Sequence, residues 1–265
     1  MTVIGAIFRP QLPPERLRSV VRAAEDAGLA ELWLWEDCFL ESGIATAAAA
    51  LAWTERLRIA IGVLPVPLRN VALTAMEVAT LHRLFPGRVT VGVGHGVQHW
   101  MAQVGARAES PLTLLREHLD ALRALLGGQE VTAEGRYVRL DAVALDWPPR
   151  TPPPVVTAAT GPRTLRLAGE AADGTVLHSG MSLDQVREAR RLVDEGRAAA
   201  GRTDPHPLIA YVQPRGGDLE EVAGMAREWA RAGADHVVLE PAGDEPDPEG
   251  FVRMAAEVGA LVGKD

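Results

Sequence analysis

The sequence is poor in several kinds of residue, and each shortage argues against a class of protein. It holds one cysteine, Cys38, so it forms no intramolecular disulfide and no zinc site built on several cysteines. Its single lysine, Lys264, is the penultimate residue, which argues against Schiff-base and P-loop chemistry. No apolar run approaches the roughly 18 residues of a membrane span, and the N-terminus lacks the features of a signal peptide. We therefore expect a cytoplasmic protein that does not enter a membrane.

Positive charge is also scarce. Lysine and arginine number 27 against 35 aspartates and glutamates, and the net charge is −8. This balance argues against a nucleic-acid-binding surface. The 265 residues, 47% of them hydrophobic, are enough for one large core.

Short apolar segments alternate with amphipathic segments along the whole chain. Eight segments read as strands: Val3–Phe8, Glu31–Trp35, Leu57–Val63, Arg88–Val93, Val155–Ala159, Gly174–His178, Leu208–Val212 and His236–Leu239. Eight helices follow them, and an excursion at 129–154 contains a short hairpin around Ala133–Gly135. This count predicts a single (β/α)8 barrel domain over residues 1–265, rather than a doubly wound sheet.

The stretch 57–96 is the clearest βαβ unit. Its first strand runs into Leu64–Pro67, where two prolines remove backbone donors and are expected to end the strand pairing. Its second strand ends at Gly94-His95-Gly96, and glycines at that place let a ligand approach the backbone. We expect the side chain of His95 to project into the mouth of the barrel, although a hydrogen-bonded structural histidine is the open alternative.

Chemistry in such barrels lies at the carboxyl ends of the strands. The residues there are Arg9, Glu36, Asp37, Cys38, Leu64 to Pro67, His95, Thr160 to Pro162, His178, Gln213 and Glu240. The set contains no paired carboxylates of a hydrolase, and His95 with His99 lacks a third metal ligand, so no metal is predicted.

Two long stretches carry a family resemblance. The segments PLRNVALTAMEVATLHRLFPGRVTVGVGHG and PPVVTAATGPRTLRLAGEAADGTVL, with the WEDC turn and EGRYVRLD, resemble the bacterial luciferase-like oxidoreductases, particularly those that use the deazaflavin coenzyme F420. The resemblance covers nearly the whole chain. It implies a TIM barrel, a deazaflavin or flavin cofactor and an oxidoreductase activity.

The resemblance also implies site residues beside the cofactor ring. In the family, the turn after the second strand carries an acidic residue followed often by histidine, and the match here is Asp37 followed by Cys38. The position after the fourth strand is an acidic proton donor in some F420 enzymes and is His95 here. All three are predicted catalytic residues, with Asp37 also binding cofactor. Cys38 also reads as a small buried residue, because nothing basic neighbours it in sequence.

Two further segments are expected to contact the cofactor. The resemblance implies a bulge, often with a non-prolyl cis peptide, that backs the ring at Gly62, Val63 and Leu64. It also implies a phosphate-binding loop formed by Ala158, Ala159, Thr160, Gly161, Pro162 and Arg163. The loop has an independent rationale, because a helix N-terminus offers free N–H groups to an anion and proline suits the first turn. A simple helix cap is the alternative.

Three functions are consistent with these residues. The first is an F420-dependent oxidoreductase that transfers a hydride between the deazaflavin and a small organic substrate, with His95 as the leading proton carrier. The second is an FMN-dependent monooxygenase, and the third is a barrel that binds a flavin or deazaflavin without chemistry of its own. A homodimer is the candidate assembly.

Overall fold

Eight parallel strands close into a barrel in the computed structural model, which describes residues 2–214, 216, 218–243 and 245–263. The barrel strands are β1 (Val3–Phe8), β2 (Glu31–Leu34), β3 (Arg58–Pro65), β4 (Val89–Gly94), β7 (Val155–Ala158), β8 (Gly174–Leu177), β9 (Leu208–Val212) and β10 (His236–Leu239). Their order around the barrel is β1-β10-β9-β8-β7-β4-β3-β2. The (β/α)8 fold predicted from the alternation is confirmed.

The helices surround the barrel. They are α1 (Leu17–Asp26), α2 (Gly43–Trp53), α3 (Val71–Leu84), α4 (Gln98–Gln103), α5 (Pro111–Leu126), α6 (Pro162–Ala171), α7 (Leu183–Ala199), α8 (Leu219–Arg231) and α9 (Pro248–Val262). Within the excursion, β5 (Val131–Glu134) and β6 (Arg139–Val143) form the expected antiparallel hairpin. None of the helices in the described ranges is both long and apolar enough to cross a membrane.

Each barrel strand buries both faces, as its unbroken apolar sequence requires. One face packs on the helices, and the other fills the barrel with a separate cluster of buried side chains. That inner cluster comprises Ile7, Trp33, Ala60, Val156, Val176, Ile209, Tyr211 and Val238. Because side chains alternate along a strand, the next inward positions lie at the carboxyl ends and form the mouth.

Two details differ from the sequence prediction. Pairing of β3 with β4 does not end before the prolines but continues to Leu64↔Val93 and Pro65↔Gly94, because a bulge after Ile61 shifts the register. Proline is compatible with this place because pairing to β4 ends there. The short helix α4 was not predicted as a separate element, so the described ranges hold one helix more than the eight expected.

Candidate active site

An aromatic pair forms the floor of the barrel mouth. The rings of Trp35 and Tyr211 stack with centroids 5.7 Å apart and an interplanar angle of 30°, and Trp33 meets Tyr211 edge-on. Stacked and edge-on contacts of this kind add stability beyond the area they bury. The hydroxyl of Tyr211 donates to the carbonyl oxygen of Gly62 at 3.3 Å. The floor therefore links β2 and β9 to β3.

The β3 bulge lies directly against this floor. The peptide between Gly62 and Val63 is cis, and the register shifts between Ile61 and Leu64. A Cβ on Gly62 would lie 1.9 Å from the hydroxyl oxygen of Tyr211, so only glycine fits. Val63 packs against the inner cluster, whereas Leu64 is buried in the outer core. The bulge stands at the predicted position, and its contact with a cofactor ring stays a prediction.

A polar cluster covers one side of the mouth, where β1 meets β2 and β10. The guanidinium of Arg9 donates to Glu240 Oε1 and to Gln11 Oε1, both at 3.1 Å, and lies 5.6 Å from the Trp35 ring centroid. Burial raises the pKa of Asp37, although the charge of Arg9 and a hydrogen bond with Gln11 act in the opposite direction. Asp37 is thus a carboxyl group that holds its proton more strongly than usual.

The two residues beside Asp37 have different surroundings. Burial, followed by the charges of Glu36 and Asp37, raises the pKa of the Cys38 thiol, so the thiol stays protonated at neutral pH. Glu36 accepts hydrogen bonds from Arg69 Nη2 and from the backbone N–H of Gly43, both at 2.7 Å. Glu36 therefore ties the β2 and β3 loops to the start of α2.

His95 lies between two helices. Gly94 ends β4 and faces inward, where a Cβ would meet Val63, and His95 follows directly after the strand. The Nδ1 atom of His95 is 3.1 Å from the carbonyl oxygen of Pro111, and its Nε2 is 3.2 Å from the hydroxyl oxygen of Thr164. These contacts hold the ring at the first turns of α5 and α6, and its projection into the mouth stays a prediction.

The hydrogen bonds assign a protonation state to His95. A carbonyl oxygen only accepts, so Nδ1 carries the proton, and Nε2 accepts from the Thr164 hydroxyl. Burial lowers the pKa of His95, which keeps this neutral form at pH 7. Both nitrogens are engaged, and the ring joins the first turns of α5 and α6.

The start of α6 is open. Gly161 is its N-cap without a side-chain hydrogen bond, and Pro162 occupies its first turn. A Cβ on Gly161 would meet nothing within 4 Å, and Thr160, Pro162 and Arg163 are exposed. The helix shares this lack of a side-chain cap with α1, α4 and α5, whereas α2, α3, α7, α8 and α9 begin with a side chain that accepts from the first turn. The uncapped amides of α6 and the free space before them suit a phosphate.

The predicted residues therefore form two groups on opposite sides of the barrel. Asp37 shares its surroundings with Arg9 and Glu240, at β1, β2 and β10. His95 contacts the phosphate-loop helix at β4 and β7, where Ala158 and Ala159 also lie. Sequence reasoning placed Arg9 and Glu240 at strand ends without giving them a role. Their ion pair joins residues 231 positions apart and follows only from closure of the barrel.

The fold and this mouth define a parallel-barrel enzyme with its site at the carboxyl ends of the strands. The model of the luciferase-like monooxygenase family matches residues 3–223. The chain belongs to that family, and it is an oxidoreductase.

Three known proteins are similar to this chain. The 5,10-methylenetetrahydromethanopterin reductase of Methanolobus tindarius is 26% identical over 98% of this chain and 81% of its own length. The F420-dependent glucose-6-phosphate dehydrogenase of Kineococcus radiotolerans is 33% identical over 73% of this chain and 61% of its own length. The structure of an F420-dependent secondary alcohol dehydrogenase with an F420-acetone adduct covers 98% of this chain and 99% of its own, with TM-score 0.86 and 20% identity.

Proposed function

We propose that the protein is an F420-dependent oxidoreductase that transfers a hydride between the deazaflavin and a small organic substrate. One observation carries this proposal: the β3 bulge at Gly62 and Val63 lies against the Trp35–Tyr211 floor, and Gly62 places no side chain between the bulge and that floor. A flat ring rests well against such a surface. The F420-dependent relatives support the choice of cofactor.

The chain also has residues that fit the phosphate of the cofactor. The uncapped amides of Arg163 and Thr164, with the open space at Gly161, would receive its phosphate. His95 holds this helix turn through Thr164. When bound, the deazaflavin supplies hydride chemistry at its C5 atom.

The polar side of the mouth would hold the proton. The sequence favoured His95, but its two nitrogens are engaged and its pKa is lowered. The environment of Asp37 favours a carboxyl that gives or takes a proton, because its pKa is raised toward neutrality. We propose Asp37 as the proton carrier, His95 as a positioning residue and Cys38 as a neutral neighbour.

Cofactor binding tests the proposal directly. The purified protein is equilibrated separately with F420 and with FMN, and fluorescence and the absorbance of the bound chromophore are followed. We expect saturable binding of F420 and at most weak binding of FMN. Tight binding of FMN alone would replace the proposal with an FMN-dependent monooxygenase, which the description of the family favours. Binding of F420 without turnover of any acceptor would indicate a barrel that binds the cofactor without chemistry of its own.

We also propose a homodimer as the assembly. Leu73, Met76 and Leu84 are exposed on α3, and Phe39 and Leu40 are exposed in the loop before α2. Spacing along the helix puts the three α3 residues on one side of it, and exposed apolar side chains grouped in this way are typical of a protein interface. Light scattering after size exclusion checks this: Met76→Glu should shift a dimer toward monomer, and a monomeric parent protein would contradict the assembly.

A further inference from the structure

We infer that Glu240 holds the hydrogen-bond donor of a small, largely apolar molecule, a hydroxyl or an ammonium group, in a cavity between α8 and α9 at the barrel mouth. The inference deepens the proposed function, on which it rests for taking this molecule to be the substrate. None of the residues predicted from the sequence as catalytic or cofactor-binding lines this cavity.

The cavity has the size and the walls of a ligand site. Its volume is about 530 Å³, within the range of pockets that bind small molecules. Leu219 and Val222 of α8 form one wall, and Phe251 and Met254 of α9 form the other. These side chains suit the apolar body of a ligand, and Glu240 at the end of β10 adds the polar group.

One oxygen of Glu240 has no partner in the part of the chain that the structure describes. The residue is only 6% exposed, and its Oε1 pairs with Arg9 Nη1 at 3.1 Å. Its Oε2 is buried and has no hydrogen-bond partner among the described residues. An ionised carboxylate offers about four lone-pair positions, and buried polar atoms in proteins are nearly always paired. A donor brought by a ligand would satisfy this oxygen.

The carboxylate can turn to meet such a donor. Oε2 is out of contact with solvent in the present orientation, but the last torsion of a glutamate is broad and costs little to change. Arg9 also donates to the carbonyl oxygen of Pro241 at 3.3 Å, which holds the guanidinium in place while Glu240 turns.

The charges around the cavity select the ligand. Arg9 balances Glu240, while Asp218 and Glu245 also line the cavity and Asp37 lies near Glu240. Among the described residues, this surplus of carboxylates disfavours an anionic group such as a phosphate or carboxylate and accepts a neutral or cationic donor. The substrate is therefore expected to differ from a sugar phosphate.

Four probes with similar apolar bodies test the inference on the whole protein without cofactor. They are 2-phenylethanol, 2-phenylethylamine, ethylbenzene and 3-phenylpropanoate, and their Kd values are measured by ligand-observed NMR. We expect the alcohol or the amine to bind about tenfold or more tightly than ethylbenzene, since a hydrogen bond to a charged group gives a factor of this order. The tighter of the two identifies a hydroxyl or an ammonium group as the natural donor. Equal binding of the alcohol, amine and ethylbenzene, or tight binding of 3-phenylpropanoate, would overturn the inference.

Three variants locate the effect. In Glu240→Gln the amide oxygen turns toward Arg9, so the cavity loses its acceptor and the preference for donors should shrink to about twofold or less. Met254→Trp fills the cavity and should abolish binding of every probe while keeping Glu240. Glu228→Gln changes a carboxylate that lines the adjoining cavity between α7 and α8 but not this one, and it should alter nothing. A donor preference that survives Glu240→Gln, or binding that survives Met254→Trp, contradicts the site.

Failure of this inference can be told from failure of the proposed function. F420 binding is measured by fluorescence on the same samples, and Glu240→Gln and Met254→Trp should retain it. A parent protein that binds the donor probes but not F420 refutes the proposed function and leaves the cavity site intact. A parent protein that binds F420 without preferring donors refutes only the cavity site.

Discussion

The hydroxyl of Tyr211 meets the carbonyl oxygen of Gly62 at 3.3 Å, inside the barrel and between strands that are not neighbours. Tyr211 is 5% exposed and Gly62 is half-buried, so most of the contact is shielded from solvent. It fixes the height of the bulge above the aromatic floor. The shape of the proposed ring site therefore depends on a residue 149 positions further along the chain.

Gly62→Ala should destabilise the protein. The new methyl group would lie 1.9 Å from the Tyr211 hydroxyl oxygen and 2.7 Å from the Trp33 ring, and forced overpacking of a core costs about 1–3 kcal/mol. Chemical denaturation measures the change in the free energy of unfolding. Gly224→Ala is the matched control: its Cβ meets nothing within 4 Å in the middle of α8, so we expect stabilisation by about 0.5–1 kcal/mol. If both variants change the free energy of unfolding with the same sign and by the same amount, this account of Gly62 is wrong.

Gly161→Asp and Gly161→Asn should separate the phosphate site from helix capping. Both side chains cap a helix N-terminus slightly better than glycine, so each should leave stability unchanged or raise it by a few tenths of a kcal/mol. Only Asp places a negative charge where the phosphate is proposed to bind. We expect Asp to weaken F420 binding by about tenfold relative to Asn at low salt, with the difference shrinking as salt is added. If the two variants bind F420 with equal affinity, the phosphate does not bind at the start of α6.

Asp37→Asn should lower kcat by roughly 10²- to 10⁴-fold if Asp37 carries the proton. Affinity for F420 should change little, and the pH–rate profile should lose the ionisation of the carboxyl group, whose pKa is raised by burial. Cys38→Ser is the neighbouring control and should keep most of the activity, because the thiol is protonated and neutral.

His95→Ala distinguishes a positioning role from a proton role. The change removes the link between Pro111 and Thr164, so we expect weaker F420 binding and an unchanged pH–rate profile. Thr164→Val should weaken F420 binding in the same direction, because it removes the same hydrogen bond, whereas Thr164→Ser should retain it. A loss of kcat with normal F420 affinity and an altered pH profile would instead make His95 the proton carrier.

The sequence predicted the barrel well because its information is local. Unbroken apolar runs such as Val3–Phe8 indicate strands buried on both faces, and the amphipathic segments between such runs indicate helices. The features that the sequence did not predict depend on closure of the barrel or on the register between its strands. The Arg9–Glu240 pair requires β1 beside β10, and the contacts of His95 require the first turns of α5 and α6 to meet beside the end of β4. Pairing at Pro65 required the bulge that shifts the register after Ile61.

His118→Leu should make the stability of the protein less sensitive to acid. His118 of α5 is 1% exposed, its Nε2 has no partner in the described part of the chain, and burial lowers its pKa to about 4. Between pH 6.5 and pH 4 the unfolded chain takes up a proton that the folded protein refuses, so the contribution of His118 is complete above pH 6.5 and falls as the pH drops. From pH 7 to pH 5 this loss is about 2 kcal/mol.

His82 and His206 have pKa values lowered to about 4 in the same way, so the variant removes one contribution among several. Urea denaturation at pH 7 and pH 5 measures the free energy of unfolding of the variant and the parent protein. The control is His99→Gln, which changes an exposed histidine. If His118→Leu is as sensitive to acid as the parent protein, His118 is not a titrating group of the core.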